Sequence, residues 1–564
     1  MTPERLWKTL ADSQKKSTFF GGAAILAAGS IIVKLIGAVY KIPLGRILSK
    51  QAFVDFNTSY NIYNFFLTIS TAGLPVALSK TVSEANTLGR QNQVRRIFTV
   101  ALRTFLLLGL ISFVAMSFFG QNLANFMEDE SAVYCVRALS PSVLCVCIMA
   151  AFRGYYQGHS NMVPTAVSQI IEASCKMVFG LALAYAVLML LPGDPSYKQR
   201  MSAAGAIAGV SVGSVIALLY MLFHFARDPD RRRKRGSDSP DSDSAILSRL
   251  LKLAVPITLG SAAISIVTII DSKVVMSLLK QMYVDLPQLI TPEAVAQQFE
   301  DGGVEPILYM AQGLKGIYDK CMAIYNLPSQ LMVAITASVI PAVSAALTRR
   351  DKHGASRISE SALRIGALLF LPMGFGLCAL GGPIVKMLFK LEDAAAGPIM
   401  SELGIASIFV CLMLICNSIL QAHGLVNLPM LTVVVGGIVK IVVNYVLVGN
   451  YDINIQGAPI GTICCFAAAS LMDLFFIHRA IPQPPRYGRV FLKPLAASVL
   501  MGLAAWGSYG LLNRFLGNSL STIGAIFVGI VVYAVLVLAL QILTRDDLSL
   551  MPKGDKIAKL LRIQ

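Results

Sequence analysis

Long apolar stretches separated by short polar segments recur along the whole chain of 564 residues. A run of about 18 or more apolar residues is long enough for a helix to cross roughly 30 Å of hydrocarbon. The pattern therefore predicts an all-α polytopic membrane protein with about 14 transmembrane helices. The predicted spans cover residues 20–44, 61–84, 96–119, 133–153, 162–190, 201–225, 250–279, 321–347, 358–381, 399–420, 428–449, 457–478, 490–512 and 521–543.

The connecting segments alternate between basic and acidic. One set holds clusters such as Arg90/Arg95/Arg96 and the run 231–235, whereas the other contains Glu128-Asp129-Glu130. Cytoplasmic loops of membrane proteins collect Lys and Arg, so we expect both termini in the cytoplasm. The same rule accounts for the net charge of +17 without a nucleic-acid partner. Only 14% of residues are charged, against about 25% in a soluble domain.

Two pairs of weakly similar internal segments predict a repeated architecture. Residues 62–79 (IYNFFLTISTAGLPVALS) resemble 324–344 (IYNLPSQLMVAITASVIPAVS), and residues 156–176 resemble 420–440. Because each pair enters the membrane from the same side, we expect two pseudo-symmetric six-helix lobes related by an axis along the membrane normal. The predicted organisation is an N-lobe (1–226), a flexible, charged cytoplasmic linker (227–248), a C-lobe (249–482), and two further helices with a basic tail (483–564).

Charged side chains at membrane depth are the candidate functional residues. Each costs about 2.5–3.5 kcal/mol to insert near the bilayer centre, so such residues usually face a wet cavity or a partner. The surplus of cations predicts an anionic substrate, and lysine suits phosphate as a compact point charge. The candidates are Lys34 and Lys41 in the first span; Glu172 and Lys176 in the fifth; Asp271 and Lys273 in the seventh; Lys315, Asp319 and Lys320 leading into the eighth; and Lys440 in the eleventh.

Lys34 and Lys41 lie seven residues apart, which places them on one helix face about 10 Å apart. Gly37 lies between them and leaves room for a ligand or a closely packed helix. Pro43 and Gly45 predict the end of this helix, where Lys41 could instead anchor at the interface. Glu172 and Lys176, at i and i+4, have the spacing to neutralise each other, which leaves a cavity role and a purely structural role open.

No enzyme chemistry is indicated by the sequence. It contains no HExxH metal motif and no GxxxxGK[ST] nucleotide loop. The cysteines occur mostly in apolar segments without zinc-finger spacing, which predicts packing rather than metal binding. We therefore expect no metal and no cofactor, and a transport cycle driven by an ion gradient (Na⁺ or H⁺), the membrane potential or the substrate gradient.

Four segments carry a family resemblance: SIIVKLIGAVYKIPL (30–44), FLTISTAGLPVALSKTVSEA (66–85), GYYQGHSNMVPTAVSQIIE (154–172) and IYDKCMAIYNLPSQLMVAITASVIPAVS (317–344). They resemble polysaccharide exporters of the multidrug/oligosaccharidyl-lipid/polysaccharide (MOP) superfamily, in the branch of stage V sporulation protein B and MurJ-type lipid II flippases. The resemblance implies two six-helix lobes around a central cavity and a bacterial plasma-membrane location. It also implies a groove for the lipid tail, formed by the last two helices.

The resemblance also implies a substrate and its contacts. The family moves undecaprenyl-pyrophosphate-linked sugars, and Lys34, Lys41 and the pair Asp319-Lys320 match its charged positions. The basic residue of its second helix has no counterpart between residues 61 and 79.

We thus expect a lipid II flippase for peptidoglycan synthesis, working by alternating access as a monomer among membrane lipids. In it Lys34, Lys41, Lys273 and Lys320 would hold the pyrophosphate beside Asp271 and Asp319, while Glu172, Lys176 and Lys440 are cavity or structural charges. The alternatives are a cation-coupled multidrug exporter of the same superfamily and an exporter of another lipid-linked polysaccharide. A membrane glycosyltransferase is disfavoured because the outer loops are short.

Overall fold

The structure, a computed structural model, describes residue 26 and residues 28–228, 238–290, 305–481 and 484–542. Within these ranges the chain is helical and contains no strand, and thirteen helical segments are long and apolar enough to cross a membrane. The prediction of an all-α multi-pass membrane protein is confirmed, whereas the count of fourteen is not. The remaining predicted span, 321–347, falls in a helix of which several side chains lie outside the description.

The α-helices, numbered in chain order, are α1 (Ala28–Ile47), α2 (Lys50–Thr71), α3 (Leu74–Thr87), α4 (Gln91–Phe118), α5 (Gly120–Phe126), α6 (Val133–Gly158), α7 (Val163–Leu190), α8 (Pro195–Arg227), α9 (Asp243–Asp285), α10 (Pro306–Thr348), α11 (Lys352–Phe389), α12 (Ala396–Ala422), α13 (Asn427–Val448), α14 (Gly457–Ala480), α15 (Tyr487–Leu512) and α16 (Asn518–Ala539). Short 3₁₀ turns precede α6 and α14 and follow α9.

The chain divides into two compact units. The first comprises Met1–Lys273 with Thr291–Tyr309, and the second comprises Val274–Ile290 with Met310–Gln564. The division falls inside α9 and not at the predicted linker 227–248, because the N-terminal part of α9 packs with α3 and α4 in one hydrophobic cluster.

In the first unit, small residues let α7 and α8 pack closely. A Cβ added to Gly209 of α8 would lie 2.3 Å from the backbone nitrogen of Gly180 in α7. Glycine at such a crossing allows two helix backbones to approach, which is a common way for membrane helices to pack. The close contact of these two helices therefore depends on glycines, which have no side chain, rather than on large apolar residues.

The second predicted span is broken into α2 and α3. Helix α2 ends at Thr71, and Pro75 lies in the first turn of α3, where its missing N–H costs nothing. The Gly73 N–H donates to Thr258 Oγ1 of α9 at 3.2 Å, which satisfies a backbone donor freed by the break.

The described part of the predicted linker is not a free segment. Asp238 accepts hydrogen bonds from the backbone N–H groups of Asn92 (3.0 Å) and Gln93 (2.9 Å) in the first turn of α4. Asp241 forms an ion pair with Arg90 at 3.1 Å, and α9 already begins at Asp243. Residues 238–242 are thus tied to the N-terminus of α4, where the Asp238 carboxylate satisfies open backbone N–H groups, and residues 243–248 belong to α9. The predicted linker boundaries stay a prediction. Residues 229–237 lie outside the described part.

These contacts change the acidity of Asp238. Desolvation opposes its charge, but the hydrogen bonds from the Asn92 and Gln93 backbone N–H groups outweigh it and hold the pKa of Asp238 below its ordinary value. The attachment of the linker to α4 therefore depends on an ionised carboxylate.

In the second unit, the last two helices pack on α11. The hydroxyl of Tyr533 in α16 donates to the backbone oxygen of Leu368 in α11 at 2.8 Å. Leu368 also belongs to a small hydrophobic cluster with Ala497 of α15. The C-terminal pair is thus attached to the body of its own unit; the predicted lobe boundaries stay predictions.

Candidate functional site

Helix α1 presents the two predicted lysines on a partly open face. Lys34 and Lys41 are both half-buried, and a Cβ added to Gly37 would meet no atom within 4 Å. The space that the sequence predicted beside Gly37 is therefore present. The predicted helix end at Pro43 and Gly45 is wrong, since α1 continues to Ile47.

Lys176 of α7 lies beside α1, with its ammonium group over two aromatic rings. Its Nζ is 4.5 Å from the ring centroid of Tyr60 in α2 and 5.5 Å from that of Tyr40 in α1. Tyr40 is 1% exposed, so this ring is fixed by packing. The charges of Lys41 and Glu172 act on the Lys176 ammonium with opposite sign, Lys41 opposing its positive charge and Glu172 favouring it. Charged groups from α1 and α7 and aromatic rings from α1 and α2 are thus brought to one place in the first unit.

Glu172 has a different partner from the one its spacing predicted. Its Oε2 lies 2.9 Å from Nη2 of Arg153 in α6, and Arg153 Nε donates to the hydroxyl of Ser168 at 3.0 Å. Glu172 thus forms an ion pair between α6 and α7, while its charge also acts on Lys176. Arg153 was missed by the sequence analysis, although a lone arginine at the end of an apolar run was a usable signal.

A second missed feature is a buried pair of carboxylates in the first unit. Asp55 of α2 and Asp129, which precedes α6, are 0% and 1% exposed. The Ser131 hydroxyl lies 2.6 Å from Asp55 Oδ1 and 3.3 Å from Asp129 Oδ1, and the positive charge of Arg200 acts on the same group. Asp129 was read only as part of an acidic loop, because nothing in the sequence brings it to α2.

Asp271 and Lys273 lie near the middle of α9. Asp271 is 9% exposed, and the Lys273 Nζ lies 4.0 Å from the ring centroid of Phe126 at the end of α5. Between them, Ser272 accepts a hydrogen bond from Asn61 of α2 at 3.4 Å. The structure therefore places Lys273 on an aromatic ring within the first unit.

The remaining candidates belong to the second unit. Lys315, Asp319 and Lys320 lie inside α10, which begins at Pro306, and not in a segment leading into it. Lys315 pairs with Asp319 at 3.4 Å, while Lys320 is 4% exposed. Lys440 is half-buried in α13. The approach of these residues to the cations of the first unit stays a prediction.

Another buried carboxylate, which was not predicted, lies on the helix that follows the one with Lys440. Asp473 of α14 is 0% exposed and accepts a hydrogen bond from Thr432 of α13 at 2.8 Å. Among the residues that the structure describes, no three His, Cys, Asp or Glu side chains are arranged to hold a metal ion. The ten cysteines form no disulfide and lie buried or half-buried in helices.

Comparisons with known proteins agree with this architecture. Residues 19–348 match a family model described as polysaccharide biosynthesis protein, and residues 308–525 match one described as lipid II flippase MurJ. Three proteins of Bacillus subtilis (strain 168) are each 24% identical to the chain: membrane protein YabM (97% of each chain), stage V sporulation protein B (95% of this chain, 98% of the other) and lipid II flippase MurJ (86% and 88%).

Solved structures are similar over most of the chain. A lipid II flippase MurJ matches with a TM-score of 0.65 at 15% identity, covering 91% of this chain and 98% of its own. A multidrug resistance MATE family transporter of the MOP superfamily matches with a TM-score of 0.64 at 14% identity, covering 81% and 98%. The helical fold is therefore similar to the folds of these two solved structures. Since the first family model spans more than half of the chain, this protein belongs to the polysaccharide biosynthesis protein family.

Proposed function

We propose that the chain is a flippase that moves an undecaprenyl-pyrophosphate-linked sugar, lipid II, from the inner to the outer leaflet for peptidoglycan synthesis. The proposal rests on one observation: the Lys176 ammonium of α7 lies over the ring of Tyr40, the residue directly before Lys41 in the helix that also carries Lys34 and the open space at Gly37. The match of residues 308–525 to the lipid II flippase model and the similarity to MurJ support the choice of substrate. The chain would act as a transporter and not as an enzyme.

The charge arrangement suits a pyrophosphate. Each depth lysine costs about 2.5–3.5 kcal/mol to insert, and two of them repel each other, so an anion with two phosphates is attracted by both. Lysine ammonium groups donate three hydrogen bonds each and adapt to a phosphate that turns during transport. Lys34 and Lys41 would hold the headgroup from α1 and Lys176 from α7, and the polyprenyl tail would stay in lipid. The contributions of Lys273 and Lys320 remain part of the same proposal.

The transport cycle is proposed to be alternating access in a bacterial plasma membrane, with both termini in the cytoplasm. Neutralisation of the lysines by substrate would favour a state in which they are desolvated, and release would make that state costly again. A coupling ion or the membrane potential would bias the return step. The chain is proposed to work as a monomer.

Replacement of the lysines tests the assignment. In cells depleted of their own lipid II flippase, we expect a Lys34→Ala/Lys41→Ala protein to leave lipid II in the inner leaflet, as measured with a leaflet-specific probe. Lys80→Ala, an exposed lysine of α3, is the matched control and should flip normally. A double alanine variant that reaches the membrane at the wild-type level and restores outer-leaflet lipid II would make the pyrophosphate assignment wrong.

A cation-coupled multidrug exporter is the second candidate, favoured by the buried pair Asp55 and Asp129 and by the MATE-like fold. Buried carboxylates bind cations or protons, as such exporters require. Resistance to cationic drugs that disappears with Asp55→Asn, in cells with normal lipid II distribution, would favour this candidate over the flippase. Export of another lipid-linked polysaccharide would instead leave both lipid II and drug resistance unchanged.

A further inference from the structure

A cavity of about 440 Å³ lies in the first unit where α6 and α8 end, apart from the lysines of the proposed transport site. Aromatic rings form much of its wall: Tyr155 and Tyr156 from α6, and Tyr220 and Phe223 from α8. Tyr155 is 7% and Tyr156 2% exposed, so these two rings are held in place by the core behind them. Because membrane-spanning helices end here, the cavity lies at a membrane interface.

Of the residues that the structure describes, Arg227 and Asp228 give the cavity lining one charge of each sign. Arg227 lies over the Phe223 ring with Cζ 4.0 Å from the ring centroid, and the next residue, Asp228, also lines the cavity. The Tyr156 hydroxyl lies 3.0 Å from Nδ1 of His224, and the Asp228 side chain lines the cavity beside it and acts on the same hydroxyl. A carboxylate has about four lone-pair positions, so Asp228 can accept further donors. A ligand with a phosphate beside an ammonium group matches both charges.

The aromatic wall favours the ammonium half of such a ligand. Ring faces of tyrosine and phenylalanine attract ammonium groups within about 6 Å. The Asp228 carboxylate among the rings can also accept a hydrogen bond from an N–H group of the ligand. A primary ammonium therefore gains more here than a quaternary one, which has no N–H to donate to Asp228.

An exposed apolar stripe leads along α8 to the cavity. Its members share one helix face and are 36–59% exposed: Val212, Val215, Leu219, Leu222 and Phe223. Phe223 belongs both to this stripe and to the cavity wall, so the two surfaces are continuous. In a membrane protein such a stripe is the contact surface for acyl chains, and Tyr and Arg at its end belong to the headgroup level.

We propose that this cavity binds the headgroup of a phosphatidylethanolamine-type phospholipid, with its phosphate at Arg227, its ammonium between Asp228 and the tyrosine rings, and an acyl chain along the α8 stripe. The site is independent of the transported substrate. It recognises the zwitterion rather than net charge, which distinguishes it from the loose attraction of anionic lipids to basic loops.

The test uses the full-length protein in detergent micelles, with lipid binding followed by native mass spectrometry. Phosphatidylethanolamine, phosphatidylcholine and phosphatidylglycerol with identical chains are the probes. We expect the ethanolamine lipid to bind most tightly. Asp228→Asn should weaken its binding about ten- to a hundredfold, the scale of one charge-assisted hydrogen bond, and leave phosphatidylglycerol unchanged. Arg227→Gln should weaken all three lipids, because each carries a phosphate.

Matched controls separate the site from general charge effects. Asp452→Asn and Arg350→Gln remove the same charges from exposed loops and should change nothing. Asp228→Glu keeps the carboxylate and should keep the preference, which guards against a folding defect in Asp228→Asn. Leu219→Asn on the stripe should weaken the lipid but not soluble phosphoethanolamine.

Three results would overturn the proposal. The first is phosphatidylglycerol binding as tightly as the ethanolamine lipid, which would indicate a plain anion site. The second is an Asp228→Asn protein with an unchanged preference. The third is soluble phosphoethanolamine competing as well as the lipid, which would remove the acyl chain from the site.

Discussion

The ion pair between Arg153 and Glu172 permits a quantitative test of charge burial in the first unit. The two side chains, on α6 and α7, are 12% and 22% exposed and meet at 2.9 Å. A Glu172→Gln substitution keeps the shape of the side chain but removes its charge. The guanidinium of Arg153 is then left with neutral partners such as the Ser168 hydroxyl.

The expected cost follows from the burial of the pair. Breaking one partner of a fully buried pair costs about 3–5 kcal/mol, whereas an exposed pair contributes about 0–1 kcal/mol. Since a small part of both side chains is reached by solvent, we expect Glu172→Gln to lower the free energy of unfolding by about 2–3 kcal/mol. The pair Arg249–Glu84 provides the comparison, because its side chains are 57% and 40% exposed. Glu84→Gln should cost less than about 1 kcal/mol.

Equilibrium unfolding in mixed detergent micelles, followed by circular dichroism, measures both values. An Arg153→Met/Glu172→Leu protein should regain most of the lost stability, because apolar side chains of similar size replace a buried pair at little cost. Equal losses for Glu172→Gln and Glu84→Gln would refute the reasoning, since burial would then not determine what the charge contributes.

Three further predictions concern other parts of the chain. Gly209→Ala should destabilise the protein by about 1–3 kcal/mol, because the added carbon meets the Gly180 backbone, whereas Gly37→Ala should cost nothing in the same unfolding assay. The attachment of Asp238 should be intact at neutral pH. Because its folded-state pKa is lowered, the Asp238 carboxylate contributes to stability above the ordinary aspartate pKa, and this contribution is lost as pH falls through the lowered value. Hydrogen exchange of the amides in the first turn of α4 should become faster over that pH range. An unchanged exchange rate would contradict the prediction. Lys176→Met should change the stability by less than about 1 kcal/mol but abolish flipping, and normal flipping would remove this lysine from the substrate site.

The sequence predicts the membrane helices well because each span is encoded locally. Twenty or so apolar residues have few alternatives to a helix in a bilayer, since every backbone polar group must be satisfied within the segment. The exact ends are less predictable: Pro43 was interpreted as a stop, yet α1 continues past it to Ile47. A helix end depends on how its last carbonyl groups are satisfied, and that is decided by neighbouring helices.

The partners of the depth charges are the part that sequence could not supply. The spacing of Glu172 and Lys176 permits a local pair. In the structure the Glu172 carboxylate forms an ion pair with Arg153 on another helix, and the Lys176 ammonium lies over two tyrosine rings. A local pair and a pair between helices both compensate the charge of Glu172, so helical periodicity alone does not predict which one forms. Residues far apart in sequence, such as Asp55 and Asp129, become one site only through packing.

The contact of the Lys176 ammonium with two tyrosine rings affects how an anion would bind there. A carboxylate partner would have to be released and rehydrated before a phosphate could take its place, so binding would be an exchange of one anion for another. The faces of Tyr40 and Tyr60 orient the ammonium without removing its charge, and they would remain where they are if the proposed phosphate bound. Binding would then add a partner to the site without displacing the rings. Departure of the phosphate would likewise require no rearrangement of the rings, which would shorten the return to a site ready for the next substrate.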